Sequence, residues 1–327
     1  MVQQRQAGRS VRISRRAGLL GLAALAGAGG PAAWLRRATA AEPVRIDHAL
    51  GSVTLPSPAS RVVALEYTVV EDLLALNAVP VGAADIKGYG TYVGLGKDRL
   101  SGVTDVGTRQ EPNLELIAGL RPDLIVAPAF RHANLYGAFS AIAPTAMFEV
   151  RPTGPETALA DAIQSMKTLS RATGREEEAK RVEDSLVAAI GDAAQRLSAK
   201  GLSGARVLLV QFLPGSPHLR IFGAGSLPGG VASRMALRNA WEGPTDAFGF
   251  ATAGVDALAK LSGAHLLYVA KPDDETFLRL RNGPVWASLD FVAQGRVHAL
   301  PPSTWFFGGP SSAIALAQRI AAAMTEA

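Results

Sequence analysis

The segment DVGTRQEPNLELIAGLRPDLIVA, residues Asp105–Ala127, is the most informative part of this chain for predicting its fold. A glycine turn and an arginine come first, and a short helix follows with Leu114, Ile117 and Leu120 on one face. The apolar run Leu124–Ala127 then has the length and composition of a buried strand. Such a succession of helix and strand is typical of an α/β protein.

The same pattern largely returns in the second half of the chain. Residues 255–261 again place leucines at helical spacing after an acidic residue, and the apolar run 266–269 follows as a strand. Two such units predict two similar Rossmann-like α/β lobes with mostly parallel sheets. Paired lobes usually leave a cleft between them, so this architecture favours ligand binding.

A wholly helical region separates the two halves. Its apolar residues recur at helical spacing until Gly174, which predicts a single connecting helix between the lobes, and a second helix follows at 175–200. Residues 41–60 contain scattered prolines and are interpreted as an irregular lead-in. The predicted parts are an export segment at 1–40, an N-terminal lobe at 41–154, the connecting helix at 155–173 and a C-terminal lobe at 174–327.

The first 40 residues have the composition of a targeting segment. They hold seven of the 33 basic residues and no acid, and Arg15-Arg16 precedes an Ala/Gly/Leu-rich run. We interpret this as a twin-arginine export signal that is cleaved near Ala40, with a single membrane anchor as the alternative. Removing seven basic residues leaves 26 against 28 acidic residues, a net charge of −2 instead of +5. The remaining chain therefore lacks the basic surface expected of a nucleic-acid-binding protein.

Several kinds of chemistry are disfavoured by the sequence. The chain has no cysteine, which excludes disulfides and thiolate metal sites, and its five histidines are not at metal-ligand spacing. The turn Gly223–Gly229 resembles a dinucleotide loop, but its glycine spacing differs and Pro228 interrupts it. A nucleotide-dependent oxidoreductase therefore stays only as an alternative, and we expect neither an enzyme nor a cofactor.

Arginines and aromatic residues follow the predicted strands in both halves. In open α/β sheets, ligands bind at the carboxyl ends of the strands, so these loop residues are candidates for a ligand cleft. They are Tyr92, Arg109, Phe130 and Arg131 in the first lobe, and Trp241, Trp305 and Phe307 in the second.

The segments RVVALE at 61–66, DVGTRQEPNLEL at 105–116, NAW at 239–241 and WFFG at 305–308 resemble those of the FhuD-like periplasmic ferric-hydroxamate-binding proteins of ABC importers. The resemblance implies a class III periplasmic binding protein: two lobes, one long connecting helix and a shallow aromatic cleft. It also implies that Arg109 contacts the iron-bound oxygens of a ferric siderophore, and it adds Tyr67 to the ligand-binding residues. The iron arrives inside the ligand, whose hard oxygen donors complete its coordination, so the protein needs no metal ligands of its own.

The resemblance also bears on the ligand and the partners. Phe130 and Phe307 stand where the family has hydroxylated aromatics, and Arg131 with His132 adds positive charge. Hydroxamate is the first choice of ligand; haem, a corrinoid, or a catecholate or citrate ferric chelate are the alternatives. Asp256 matches a family position that docks to the inner-membrane permease, although a helix N-cap is an equal interpretation. We expect a periplasmic monomer without nucleic-acid partners.

Overall fold

The computed structural model describes residues 42–149 and 157–326, which belong to one compact unit, Ala40–Ala327. The predicted export signal at 1–40 lies outside the described residues. None of the helices in these two ranges combines the length and apolar character that a bilayer-spanning segment requires.

The described chain begins with a β-hairpin, where sequence analysis expected an irregular lead-in. Its strands are β1 (Val44–His48) and β2 (Gly51–Leu55). They pair antiparallel, and Ile46 and Leu55 are buried in the core of the N-terminal lobe. The prolines of this segment lie before and after the two strands, so they limit the strands without removing any hydrogen bond between them.

The N-terminal lobe contains a wholly parallel sheet with the strand order β5-β4-β3-β6-β7. Its strands are β3 (Val62–Ala64), β4 (Gly82–Ala83), β5 (Thr104–Asp105), β6 (Leu124–Pro128) and β7 (Thr145–Phe148); its helices are α1 (Tyr67–Ala75), α2 (Ile86–Tyr92), α3 (Leu114–Gly119), α4 (Ala129–His132) and α5 (Tyr136–Ile142). Because the strands are parallel, the residues that follow β3, β4 and β6 meet at one edge of the sheet. Glu66, Asp85 and Arg131 lie at that edge.

Two helices contribute side chains to the cores of both lobes. They are α6 (Thr157–Thr173) and α7 (Glu176–Ala199). Leu159 at the start of α6 belongs to the core of the C-terminal lobe, and Met166 near its end belongs to the core of the N-terminal lobe. The long helix α7 does the reverse, with Ala179 in the N-terminal core and Leu186 in the C-terminal core. The lobe boundaries stay a prediction, since residues 150–156 lie outside the described ranges.

The C-terminal lobe contains a mixed sheet with the order β11-β9-β8-β12-β13, and β10 also pairs with β8. Its strands are β8 (Arg206–Phe212), β9 (His218–Phe222), β10 (Arg238–Asn239), β11 (Phe250–Gly254), β12 (Ala264–Val269) and β13 (Val297–Ala299); its helices are α8 (Leu227–Arg234), α9 (Glu275–Arg281), α10 (Pro284–Ala287), α11 (Asp290–Ala293) and α12 (Pro310–Thr325). The strand β9 is antiparallel to both β8 and β11, while the other pairs are parallel. A short hairpin turn between β8 and β9, with Gly215 at a φ of 70°, causes this reversal.

The lobes also meet where α1 faces the N-terminus of α12. Oε1 of Glu71 accepts hydrogen bonds from the backbone N–H groups of Gly309 (3.1 Å) and Ser312 (2.6 Å), and Oε2 accepts one from Oγ of Ser312 (2.6 Å). Asp72 is buried beside it. A carboxylate from the first lobe thus satisfies the free N–H groups at the start of the last helix.

Candidate functional site

A cavity of about 300 Å³ lies between residues of the two lobes. Its lining residues are Glu66, Thr68, Arg109, Gln110, Phe130 and Arg131 from the N-terminal lobe, and Arg220, Phe248, Phe250, Trp305 and Phe307 from the C-terminal lobe. Oγ1 of Thr68 donates a hydrogen bond to the backbone oxygen of Phe307 (2.8 Å), which joins the two walls directly.

The loop after β5 places Arg109 in the cavity wall. Gly107 adopts a φ of 101°, in the region that favours glycine, and forms an isolated bridge with Pro112. A Cβ at Gly107 would lie 2.9 Å from the backbone oxygen of Glu111, so a larger residue would distort the turn. Nε2 of His132 lies 2.8 Å from the backbone oxygen of Arg109 and fixes the loop against α4.

Arg109 is held by two acids and one ring. Its Nη1 donates to Oε1 of Glu66 at 2.8 Å, and its Nε lies 3.8 Å from Oδ2 of Asp85. The guanidinium carbon lies 3.8 Å from the centre of the Tyr67 ring, whose hydroxyl donates to Asp85. Burial by itself lowers the pKa of Arg109, but Glu66 raises it, and the net direction is upward. The guanidinium is therefore a fixed, permanently charged group.

Arg131 shares the same carboxylate. Its Nη2 lies 3.1 Å from Oε2 of Glu66, and its guanidinium carbon lies 4.8 Å from the centre of the Phe130 ring. Burial, together with the charge of Arg109, lowers the pKa of Arg131, while Glu66 opposes that change. Glu66 thus pairs with both arginines, and Asp85 adds a second, more distant carboxylate beside Arg109.

Several N–H donors around the cavity have no hydrogen-bond partner among the residues that the structure describes. These buried donors are Nε of Arg109, Nε and Nη1 of Arg131, and Nε1 of Trp305. Buried polar groups are normally hydrogen-bonded, so unpartnered donors beside a cavity indicate a ligand that brings oxygen acceptors. Guanidinium groups are well suited to hold several such oxygens at once.

The rest of the cavity wall is aromatic. Trp305 and Phe307 have ring centres 5.3 Å apart, and Phe307 and Phe250 have centres 5.7 Å apart. Phe130 approaches Phe248 across the lobes, with 5.2 Å between ring centres. These edge-to-face contacts form a continuous apolar surface that can bury the carbon scaffold of a ligand.

The structure brings together five of the predicted ligand-binding residues and leaves three outside the cavity lining. Arg109, Phe130, Arg131, Trp305 and Phe307 line it. Tyr67 is completely buried beneath Arg109, and Tyr92 is exposed, with its ring 6.2 Å from that of Trp305. Trp241 packs beside the core formed by β8, β9 and β12, and its Nε1 lies 3.4 Å from the backbone oxygen of Pro244. Their roles stay predictions.

Asp256 is exposed on the surface of the C-terminal lobe. It lies in the first turn of the 3₁₀ helix Val255–Lys260, whose N-cap is Gly254. The N-cap interpretation is therefore wrong, because the cap position falls two residues earlier. The docking role stays a prediction.

Sequence reasoning missed Arg220, Phe248, Phe250, Thr68, Gln110 and Glu66. One signal was present: Arg220 lies between Leu219 and Ile221, which are buried, and a charged residue inside an apolar strand projects from the opposite face. Glu66 was quoted in the RVVALE segment, but its role depends on two arginines that are distant in sequence.

The dinucleotide alternative is not supported by the turn before α8. Ser226 caps this helix, and its Oγ accepts the N–H of Gly229 at 3.1 Å. A Cβ at Gly229 would lie 2.3 Å from the backbone oxygen of Gly223, so this glycine serves close packing of the chain against itself. The start of the helix is buried, which leaves no room for a pyrophosphate.

The described residues contain no cluster of three or more His, Asp or Glu side chains that could hold a metal ion. His265 and His298 form a pair with 3.0 Å between ring nitrogens, but no third ligand joins them.

Comparisons with known proteins give a consistent result. Residues 62–304 match the family model described as periplasmic binding protein. The iron(3+)-hydroxamate-binding protein FhuD of Escherichia coli (strain K12) is 30% identical over 256 residues, which cover 78% of this chain and 83% of that protein. The Fe(3+)-citrate-binding protein YfmC of Bacillus subtilis (strain 168) is 27% identical over 256 residues, which cover 78% of this chain and 77% of that protein.

Solved structures share the fold. The siderophore-binding protein FhuD from Vibrio cholerae, with Fe3+–Desferal bound, is similar with a TM-score of 0.75 and 28% identity, over 81% of this chain and 98% of that one. Staphylococcus aureus SirA in complex with staphyloferrin B has a TM-score of 0.69 at 22% identity, over 86% of this chain and 98% of that one.

Proposed function

Because the chain belongs to the periplasmic binding protein family, with the class III arrangement of two α/β lobes, we propose that it is the substrate-binding protein of an ABC importer for ferric siderophores. Members of this family are binding proteins, and the chain is accordingly not an enzyme. The observation that carries the proposal is the set of unpartnered arginine N–H donors beside an aromatic wall.

The two halves of the cavity fit the two parts of a siderophore complex. Arg109 and Arg131 face the iron-bound oxygens, which carry negative charge and accept hydrogen bonds. Trp305, Phe307 and Phe250 bury the organic scaffold. The ferric ion stays coordinated by the siderophore, so no protein atom binds it directly.

The names of the relatives point to more than one class of iron-coordinating group in the ligand. FhuD of Escherichia coli is named for hydroxamates and YfmC for citrate, and both match most of this chain. We retain a hydroxamate-containing ferric chelate as the first choice of ligand. The alternatives are haem, a corrinoid, and catecholate or citrate ferric chelates. The rings of Phe130 and Phe307 carry no hydroxyl that could donate a hydrogen bond to an iron-bound oxygen. The arginines therefore supply the polar contacts in this site.

The proposal also includes the location of the protein, its export route and its membrane partner. The chain acts as a periplasmic monomer, exported by the twin-arginine route with cleavage near Ala40, and delivers its ligand to an inner-membrane permease. Exposed Asp256 is the proposed docking acid of the C-terminal lobe. Asp256→Ala should leave chelate affinity unchanged and lower iron uptake by cells; unchanged uptake would exclude this role.

A fluorescence titration tests the function directly. Protein purified after expression of the full chain is titrated with ferric hydroxamate, catecholate and citrate complexes, the iron-free ligands, haem and a corrinoid. Saturable quenching by a ferric chelate, with weaker binding of its iron-free form, is expected because Trp305 lines the cavity. If folded protein responds only to haem or a corrinoid, or to no compound at all, the siderophore proposal fails.

A further inference from the structure

Arg220 introduces a third guanidinium into the cavity from the opposite lobe. It lies on β9 directly across from Gln211 on β8, and its Nη1 donates to Oε1 of that neutral side chain at 3.0 Å. Its guanidinium carbon lies 5.0 Å from the centre of the Phe250 ring and 5.3 Å from that of Phe307. The side chain is half-buried and fixed between two rings.

No acid lies within ion-pair distance of Arg220 among the residues that the structure describes. Burial lowers the pKa of Arg220, and the charge of Asp246 beyond contact distance only partly offsets this. Taking a cation out of water without an opposite charge costs free energy, which an anion in the cavity would recover.

The charge of the whole lining has the same sign. Arg109, Arg131 and Arg220 contribute three positive charges. Glu66 and Asp85, which both pair with Arg109, contribute two negative charges, so this group of residues carries a net charge of +1. Because the two N-lobe arginines already share Glu66, the excess positive charge is concentrated towards Arg220.

We propose that the cavity selects ferric chelates of net negative charge, and that Arg220 is the residue that determines this preference. The inference rests on the proposed siderophore-binding function and concerns the charge of the complex rather than its donor atoms. Three hydroxamates neutralise a ferric ion, whereas catecholate and citrate complexes, or hydroxamates with pendant carboxylates, are anionic. The ligand of this protein is therefore a chelate with carboxylate or phenolate oxygens beyond those that neutralise the iron.

A set of ligands with constant donors and variable charge tests this directly. Ferric complexes of a linear trihydroxamate with a free amine, an acetylated amine or a succinylated amine are cationic, neutral and anionic respectively. Ferric citrate and a ferric tricatecholate extend the series to other anionic complexes. Wild-type protein should bind the anionic members about tenfold or more tightly than the cationic one, since charge-assisted hydrogen bonds are worth about one to two decades of affinity.

Variants at one position separate charge from packing. Arg220→Gln should weaken binding of the anionic complexes about tenfold and of the neutral complex by less than about threefold, while Arg220→Lys should retain the preference. Arg234→Gln removes an exposed arginine on α8 outside the cavity and should leave every affinity unchanged.

The outcomes distinguish this inference from the function on which it rests. If the wild-type protein binds the neutral or cationic complex as tightly as the anionic ones, or if Arg220→Gln weakens all complexes equally, the charge preference is wrong and the receptor function stands. If no ferric complex binds to folded protein, the proposed function itself fails.

Discussion

At the scale of single residues, Glu66 organises the polar half of the cavity. It caps α1 by accepting the N–H of Tyr67 at 2.8 Å, and its two oxygens face Arg109 and Arg131. A buried carboxylate between two guanidinium groups fixes both of them without consuming all of their donors. The arginines are thereby preorganised, which reduces the entropy lost when a ligand binds.

Arg109→Ala should weaken binding of the native ferric chelate by about 1.5–3 kcal/mol, the usual range for hydrogen bonds to charged groups. Arg109→Lys is the matched control, because it retains the charge but loses the planar fork, and an intermediate affinity is expected. Isothermal titration calorimetry measures both. Wild-type affinity in Arg109→Ala would show that this arginine does not contact the ligand.

Glu71 makes the stability of the protein depend on pH. Burial raises the pKa of Glu71 to about 7, although Ser312 and Gly309 donate hydrogen bonds that oppose this change, and burial also raises the pKa of Asp72. Between the ordinary pKa of 4.5 and about 7, the folded state binds more protons than the unfolded state. The contribution of Glu71 to the free energy of unfolding should therefore fall as the pH rises through this window.

Glu71→Gln tests that dependence. Between pH 4.5 and 7, the free energy of unfolding of the wild-type protein should fall relative to that of the variant, because only the wild type releases a proton from Glu71 in this window. The amide oxygen still accepts the N–H groups of Gly309 and Ser312, so the variant should fold. Urea unfolding at several pH values gives the comparison; parallel pH profiles for the two proteins would refute this account.

At the scale of elements, the N-terminus of α12 depends on two adjacent glycines. A Cβ at Gly309 would lie 2.3 Å from Oδ1 of Asp72, and one at Gly308 would lie 2.1 Å from Oγ of Ser312. The backbone of Gly309 has a φ of −91°, which any residue adopts, so the requirement for glycine is steric. The two glycines allow α1 and its acids to approach the end of the helix closely.

Gly309→Ala should lower the free energy of unfolding by about 1–3 kcal/mol, because the added methyl group overpacks the interface between the lobes. The matched control is Gly191→Ala in the exposed middle of α7, where nothing lies within 4 Å of the added Cβ. That change should stabilise the protein by about 0.5–1 kcal/mol, since alanine is the better helix former. Thermal and urea unfolding of both variants provide the test; equal stabilities would contradict the steric argument.

At the scale of the whole molecule, the helices α6 and α7 make the two lobes energetically dependent on each other. Met166, Leu169 and Ala172 of α6 complete the N-terminal core, and Leu159 of the same helix packs in the C-terminal core. The hydrogen bond from Thr68 to Phe307 and the Glu71 contacts add polar links between the lobes. Neither lobe keeps a full core if the other unfolds.

The protein should therefore unfold in one cooperative transition despite its two lobes. Differential scanning calorimetry should give a calorimetric enthalpy close to the van't Hoff enthalpy, as for a two-state protein. A saturating ferric chelate should raise the single transition temperature, because the cavity is lined by residues of both lobes. Two resolved transitions without ligand would mean that α6 and α7 do not couple the lobes.

The local structure and the class of the protein could be predicted from the amino-acid sequence. Alternating apolar strands and helices predicted two α/β lobes, and the segment from Asp105 to Ala127 folds into the predicted turn, helix and strand. Arg109, Phe130, Arg131, Trp305 and Phe307 were found from the rule that ligands bind after the strands of open sheets. These features depend on residues that are close together in the sequence. The spacing of apolar side chains along the chain is itself a local pattern, so it predicts such features directly.

Which of these residues meet in one cavity depends on the tertiary structure. Arg220 joins the cavity, Trp241 packs beside the β8–β9–β12 core, and Glu71 reaches α12, more than 200 positions along the chain. The early hairpin also differs from the expected irregular lead-in, because strand pairing depends on how turns and layers pack. Long-range contacts are selected by the packing of whole lobes, and a single sequence carries no local pattern that records them.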